Sequence, residues 1–140
     1  MIKPFITNHR VEFRDTDAAG IMHFSTFLTY MEESEHEFLR SLGLSVMQCE
    51  TDGASVSWPR VSVNCDYQAP LHFEETFEVQ VSIEKLGTKS VQYQFRFVKE
   101  AQTCATGTLT AVCCQLDDSG MNAIEIPELI RAKLTPFLDD

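Results

Sequence analysis

A chain of 140 residues with 44% hydrophobic and 23% charged residues has the makings of a single globular domain, residues 1–140. Its 21 acidic against 11 basic residues leave a formal charge of −10, which argues against a nucleic-acid surface and requires any anionic ligand to meet a local basic cluster. No run approaches the roughly 18 apolar residues of a membrane span, so no membrane partner is expected.

The N-terminal Met1-Ile2-Lys3-Pro4-Phe5 lacks the apolar core of a signal peptide. Five cysteines (Cys49, Cys65, Cys104, Cys113 and Cys114) form an odd set with no CxxC pair, which points away from a disulfide framework or a zinc knuckle. A reduced, cytoplasmic setting is expected.

Residues 8–14 alternate, Val11 and Phe13 against Glu12 and Arg14, as a half-buried strand does. Residues 15–20 are turn formers. From 24 to 42 the spacing becomes helical: Phe24, Phe27, Leu28, Met31, Phe38 and Leu42 recur on one side, with Thr29, Glu33, Glu37 and Arg40 between them. Ser25 or Thr26 caps the start and Gly43 stops it.

Residues 56–67 alternate around Pro59, which predicts a bulge or an edge strand. Residues 76–83 and 91–97 read as a hairpin whose connection contains Gly87. Residues 104–116 predict one further strand, with Cys113 and Cys114 on opposite faces. Residues 117–120 make a turn, and Ile126-Pro127-Glu128 opens a short terminal helix. One long helix against a mostly antiparallel sheet is an α+β layer architecture.

The turn before the long helix carries Asp15 and Asp17. A helix start offers unpaired N–H groups and partial positive charge, so a carboxylate beside it is placed to act on a carbonyl compound. Either Asp equally serves as a turn former, and spacing does not choose between them. His23 is a candidate acid or substrate contact, or a structural histidine at a helix start. Glu32, Glu33 and His36 lie at helical spacing; Glu33 and His36 make only half of a carboxylate metal site, so no metal is expected. Lys85 and Lys89 flank a turn able to hold phosphates, or simply to face solvent. Arg60, Arg131 and Lys133 are weaker candidates. No P-loop, GxGxxG or GxSxG is present, which removes nucleotide kinases, Rossmann enzymes and α/β-hydrolases.

The run Val-Glu-Phe-x-Asp-Thr-Asp-Ala-Ala-Gly-Ile from residue 11, followed by an aromatic-rich helix start, resembles the hotdog-fold acyl-CoA thioesterases of the 4-hydroxybenzoyl-CoA thioesterase type. Glu32-x-Ser34, residues 61–70 and the Gly87-Thr88-Lys89-Ser90 turn extend the resemblance over nearly the whole chain. It implies a hotdog fold, a five-stranded antiparallel sheet wrapped around one long helix. It also implies a homodimer or dimer of dimers with active sites at the subunit interface. The resemblance assigns catalysis to Asp17 and the oxyanion donors to the backbone N–H groups of His23 and Phe24. It brings Lys85 and Lys89 to the CoA phosphates and Glu32 to the acyl pocket.

Many members carry Tyr-His where this chain has His23-Phe24, which moves the imidazole by one residue, ~100° round a helix. The phosphate-side cluster is also thinner than in arginine-rich members, so an acyl-carrier-protein thioester is a second donor. The expected reaction is hydrolysis of the thioester to acid and thiol without a separate cofactor, CoA being part of the substrate. The alternatives are a hotdog hydratase or dehydratase using His23, and a non-catalytic dimeric acyl-binding module.

Overall fold

The computed structural model describes residues 3–49 and 53–139; Met1 and Ile2 of the N-terminal reading lie outside the described residues. In chain order the elements are β1 (Phe5–Arg10), α1 (Thr26–Ser41), β2 (Met47–Cys49), β3 (Ser55–Ser57), β4 (Arg60–Tyr67) and β5 (Thr76–Leu86). Then come β6 (Ser90–Lys99), β7 (Gln102–Val112), β8 (Cys114–Asp117), β9 (Gly120–Ala123) and α2 (Glu128–Leu134). Short 3-10 turns cover Phe13–Asp15 and Thr135–Phe137.

A five-stranded sheet runs in the order β1-β5-β6-β7-β4, with every neighbouring pair antiparallel. Period-2 patterning orients it. Phe77, Val79, Val81 and Ile83 of β5 and Val91, Tyr93, Phe95 and Phe97 of β6 are all buried, while Glu78, Gln80, Gln92 and Gln94 between them are only partly covered. Helix α1 lays Phe27, Tyr30, Met31, Phe38 and Leu39 on that apolar face. Burying each such side chain contributes roughly 1.5–3 kcal/mol. Gly107 in the middle of β7 lets the helix approach, because a Cβ there would run into the Met31 side chain.

The structure departs from the strand pattern in three places. Strand β1 ends at Arg10, and Phe13, expected inside with Val11, is 77% exposed. The backbone at Glu12 turns instead into a 3-10 helix closed by a capping box between Glu12 and Asp15.

The register shift between Arg60 and Ser62 and the edge position of β4 are what Pro59 predicts, but the run 56–67 is also broken at Trp58-Pro59 into β3 and β4. Its first half joins a second, four-stranded sheet, β2-β3-β8-β9, absent from the expected architecture. Likewise 104–116 divides at Cys113, whose N–H is donated to the Lys89 carbonyl (2.7 Å); Cys113 and Cys114 are both buried.

Candidate functional site

Asp15 is consumed by structure. Its Oδ2 accepts the Glu12 N–H (2.9 Å) and the Tyr30 hydroxyl (2.5 Å), and only 7% of the residue is exposed. Its carbonyl accepts the His23 N–H at 2.7 Å. Asp15 therefore ties the turn to the start of the helix through both its side chain and its backbone.

Two residues on, Asp17 faces outward. Its Oδ1 accepts the Ala19 N–H (2.8 Å), its own N–H is donated to the Ile21 carbonyl (2.9 Å), and its carbonyl accepts the Gly20 N–H (3.0 Å). Gly20 closes the turn at φ +82°, a conformation glycine adopts without strain. Oδ2 of Asp17 has no hydrogen-bond partner among the described residues, and the side chain lines a cavity of about 450 Å³. The other walls are mostly apolar and include Ile21, Phe24, Phe27, Tyr67 and Pro70.

Of the two N–H groups expected as oxyanion donors, one is already paired. The His23 N–H is already donated to Asp15, so it is not available to a substrate. The Phe24 N–H has no hydrogen-bond partner among the described residues, and Phe24 is one of the residues lining the Asp17 cavity. The His23 ring stacks on Phe24 at 4.6 Å, and its Nδ1 is 2.8 Å from Ser25 Oγ.

Sequence reasoning did not find Tyr67, whose hydroxyl donates to the Phe24 carbonyl at 2.6 Å across 43 residues of chain separation. Only the packing of β4 beside α1 brings them together. Burial, with a smaller contribution from Cys65, pushes the Tyr67 phenol up to about 12, which keeps it a donor.

Glu32 does not share the Asp17 cavity. It lines a neighbouring groove of about 470 Å³ with Leu28, Arg60 and Val63. There it lies 3.5 Å from Arg60, which also makes a two-armed ion pair with Glu35. Glu35 is 1% exposed; burial pushes its carboxyl up, and the Arg60 guanidinium opposes that shift. Leu28, Glu32 and His36 recur every four residues on α1, and Phe24 lies two residues before the helix, so the groove follows the helix away from the Asp17 cavity.

Lys85 and Lys89 are exposed at the β5–β6 turn. Arg131 donates to the Gly87 (2.8 Å) and Thr88 (3.1 Å) carbonyls, so its guanidinium braces this turn. Asp17 follows the end of the sheet where Arg10 pairs with Thr76, whereas Lys85 lies at the far end of β5 and Lys89 in the turn after it. At the usual strand rise that separation is about 30 Å, and the two groups do not meet within one chain.

A wider cleft of about 980 Å³ on β1, β5 and β6 holds none of the expected site residues; Glu74, Glu75, Glu78 and Glu100 give it a charge adverse to an anionic ligand. Among the described residues no group of three or more His, Cys, Asp or Glu is arranged to hold a metal ion, and no helix is long and apolar enough to cross a membrane.

Comparison with known proteins agrees with this layout. Residues 11–134 match the model of the thioesterase-like superfamily. A protein of Aquifex aeolicus (strain VF5) named as an esterase is 36% identical over 97 residues, covering 69% of this chain and 74% of that one. A 1,4-dihydroxy-2-naphthoyl-CoA hydrolase of Synechococcus elongatus is 28% identical over 121 residues, 86% of this chain and 88% of its own. The solved structure of a gentisyl-coenzyme A thioesterase superposes with a TM-score of 0.79 at 28% identity, covering 93% of this chain and 99% of that one. With the sheet-and-helix architecture and a match over most of its length, the chain belongs to the thioesterase-like superfamily, a family of hotdog thioesterases.

Proposed function

We propose that this protein hydrolyses an aromatic acyl-CoA thioester, with Asp17 as the reacting carboxylate. The observation that carries the reading is that Asp17 lines one apolar cavity with Phe24, whose N–H has no partner among the described residues. A thioester carbonyl seated there meets the carboxylate on one side and a hydrogen-bond donor on the other. Asp17 either attacks the carbonyl carbon, expelling the thiolate and leaving a mixed anhydride that water cleaves, or takes a proton from the attacking water. In both routes the Phe24 N–H, at the positive end of α1, stabilises the oxyanion; losing such a donor typically costs ~3 kcal/mol of transition-state stabilisation.

A homodimer completes this site. Strand β4 is a free sheet edge carrying Val61, Val63 and Tyr67, which are 61%, 46% and 46% exposed. Antiparallel pairing of β4 with its copy continues the sheet and reverses the second protomer. The lysine turn, some 30 Å from Asp17 in its own chain, is then carried towards the other protomer's Asp17 end. In this arrangement the partner's Lys85 and Lys89 serve the CoA phosphates and its Glu32 approaches the acyl group. An aromatic acyl group is supported by the aromatic wall of Phe24, Phe27 and Tyr67 and by the aromatic acyl-CoA named for the Synechococcus hydrolase.

No observation favours the hydratase or dehydratase reading, because the His23 ring is held by Phe24 and Ser25. The test is release of free thiol from a panel of aromatic and aliphatic acyl-CoAs by wild type and Asp17→Asn. Turnover of an aromatic ester by wild type and its loss in the variant support the proposal. Unchanged turnover in the variant rejects Asp17, and binding without thiol release points to the acyl-binding module.

A further inference from the structure

A carbonyl oxygen accepts two hydrogen bonds, and the Asp17 site as described offers it one donor, the Phe24 N–H. The His23 N–H is committed to the Asp15 carbonyl at 2.7 Å. Three of the residues lining the Asp17 cavity carry polar side chains: Asp17, Tyr67 and Gln68. The Asp17 carboxylate only accepts, and the single proton of the Tyr67 hydroxyl is donated to the Phe24 carbonyl at 2.6 Å. Gln68 is left. Its amide carries two N–H groups, the residue is exposed, and its side chain makes no hydrogen bond to any described residue.

The Gln68 backbone, by contrast, is held. The N–H groups of Gln68 and Ala69 are both donated to the Cys104 carbonyl, at 2.8 and 3.1 Å. This fixes Gln68 between Tyr67 and Pro70, two walls of the cavity. The Tyr67 side chain reaches across to Phe24, and Gln68 starts one Cα step, ~3.8 Å, further along the chain. An anchored backbone with an unpaired amide can turn that amide to a ligand without breaking an existing bond. The amide also suits its neighbour. A lysine or arginine here would pair with Asp17 and stabilise its charge, whereas a neutral amide donates a hydrogen bond and leaves the carboxylate uncompensated.

We propose that Gln68 is a further catalytic residue, its side-chain amide donating to the thioester carbonyl oxygen together with the Phe24 N–H. This rests on the thioesterase reading above. As Asp17 or water adds to the carbonyl carbon, the π pair moves onto oxygen, where both donors hold it. Collapse of the adduct re-forms the C=O bond, breaks the C–S bond and expels the thiolate.

The experiment measures kcat and KM for the ester turned over fastest in the thiol-release panel, in wild type, Gln68→Met and Gln68→Glu. The first variant keeps the shape and removes the donor; the second turns the donor into an acceptor. Each should lower kcat by about 10- to 100-fold, with little change in KM and an unchanged urea midpoint. Retention of kcat within about twofold in Gln68→Met overturns the proposal. A second readout separates contact with the carbonyl from an indirect effect. It is the infrared C=O band of the benzoyl-CoA analogue in which a methylene group replaces the thioester sulfur, labelled with carbon-13 at the ketone. In complex with wild type the band should lie at lower frequency than in complex with Gln68→Met, because a hydrogen bond weakens the C=O bond. Identical bands overturn the proposal, even where kcat falls because Gln68 orients Asp17 instead. If no ester is hydrolysed, the thioesterase reading fails separately, and the band of the bound ketone decides this one. A ketone that does not bind wild type overturns it as well.

Discussion

Tyr30 donates its phenolic proton to Asp15 Oδ2 at 2.5 Å, and that bond separates the two acids of the Asp-Thr-Asp turn by role. Burial first, and then the bond to Asp15, holds the Tyr30 phenol well above the usual tyrosine range, so it remains a donor at working pH. Asp15→Ala strips the Tyr30 hydroxyl and the Glu12 N–H of their shared acceptor and should lose roughly 1–3 kcal/mol of stability. Asp17→Asn should leave the urea midpoint nearly unchanged and lower kcat by at least ~100-fold. Urea melts paired with thiol release check this. Full stability but no turnover in Asp15→Ala would exchange the assignments.

Tyr67 holds the Phe24 carbonyl, and by fixing the Phe24 backbone it steadies the N–H on the preceding peptide, proposed to meet the oxyanion. Tyr67→Phe should lower kcat by ~10-fold or less, short of the 10²–10³ that follows outright loss of a donor. Because the phenol titrates only at about 12, the ratio of wild-type to variant rates should stay flat between about pH 6 and 9. A ratio that changes across this range would show that Tyr67 itself exchanges the proton.

Glu35 is a buried carboxylate whose counter-charge is Arg60. Arg60→Met leaves that charge uncompensated and should cost about 3–5 kcal/mol at neutral pH. Burial already raises the Glu35 carboxyl above its ordinary range, and removing the opposing guanidinium raises it further. A carboxyl with a raised folded-state pKa contributes stability below the unfolded pKa and loses it as pH rises through the folded value. The gap between wild type and variant should therefore be small near pH 4 and widen towards pH 7. Denaturant midpoints measured across that range decide it, and a constant gap would mean that Glu35 is not the cause.

Lys85→Ala/Lys89→Ala should raise KM for an acyl-CoA severalfold, with a weaker salt dependence, and leave hydrolysis of the matching N-acetylcysteamine thioester unchanged. The double variant also tests the interface. In a heterodimer with Asp17→Asn, one site carries both defects and the other carries none if the lysines serve the partner's carboxylate. Each heterodimer should then have about half of the wild-type activity, so an equimolar mixture at statistical exchange should gain about a quarter of the wild-type activity per dimer. No gain on mixing, with exchange of subunits verified, would put the lysines and Asp17 in separate functions.

Much of the scaffold is legible one element at a time. The four-residue recurrence of apolar side chains announces α1, and the strict alternation of 76–83 and 91–97 announces the central hairpin, because each pattern reports which face of a single element is dry. The breaks at Arg10 and at Cys113 are not legible in this way, and Pro59 announces a bulge or edge but not the division of its run between two sheets. Alternation shows that one face is apolar, but not whether the strand continues in the same sheet. The second sheet arises where residues 55–57 find residues 114–117 instead of extending β4.

The sequence by itself determined that a carboxylate-bearing turn leads into a long amphipathic helix, and its resemblance to a known signature pointed to Asp17. Only the tertiary structure decided what each group near that turn has left to offer. Asp15 spends one carboxylate oxygen on both Tyr30 and Glu12, His23 donates its N–H to the Asp15 carbonyl, and the Phe24 N–H has no partner among the described residues. The reason is physical: a hydrogen bond consumes a donor whose partner can be any distance away in sequence. Periodicity records which residues are buried, whereas packing alone records which polar groups remain unpaired.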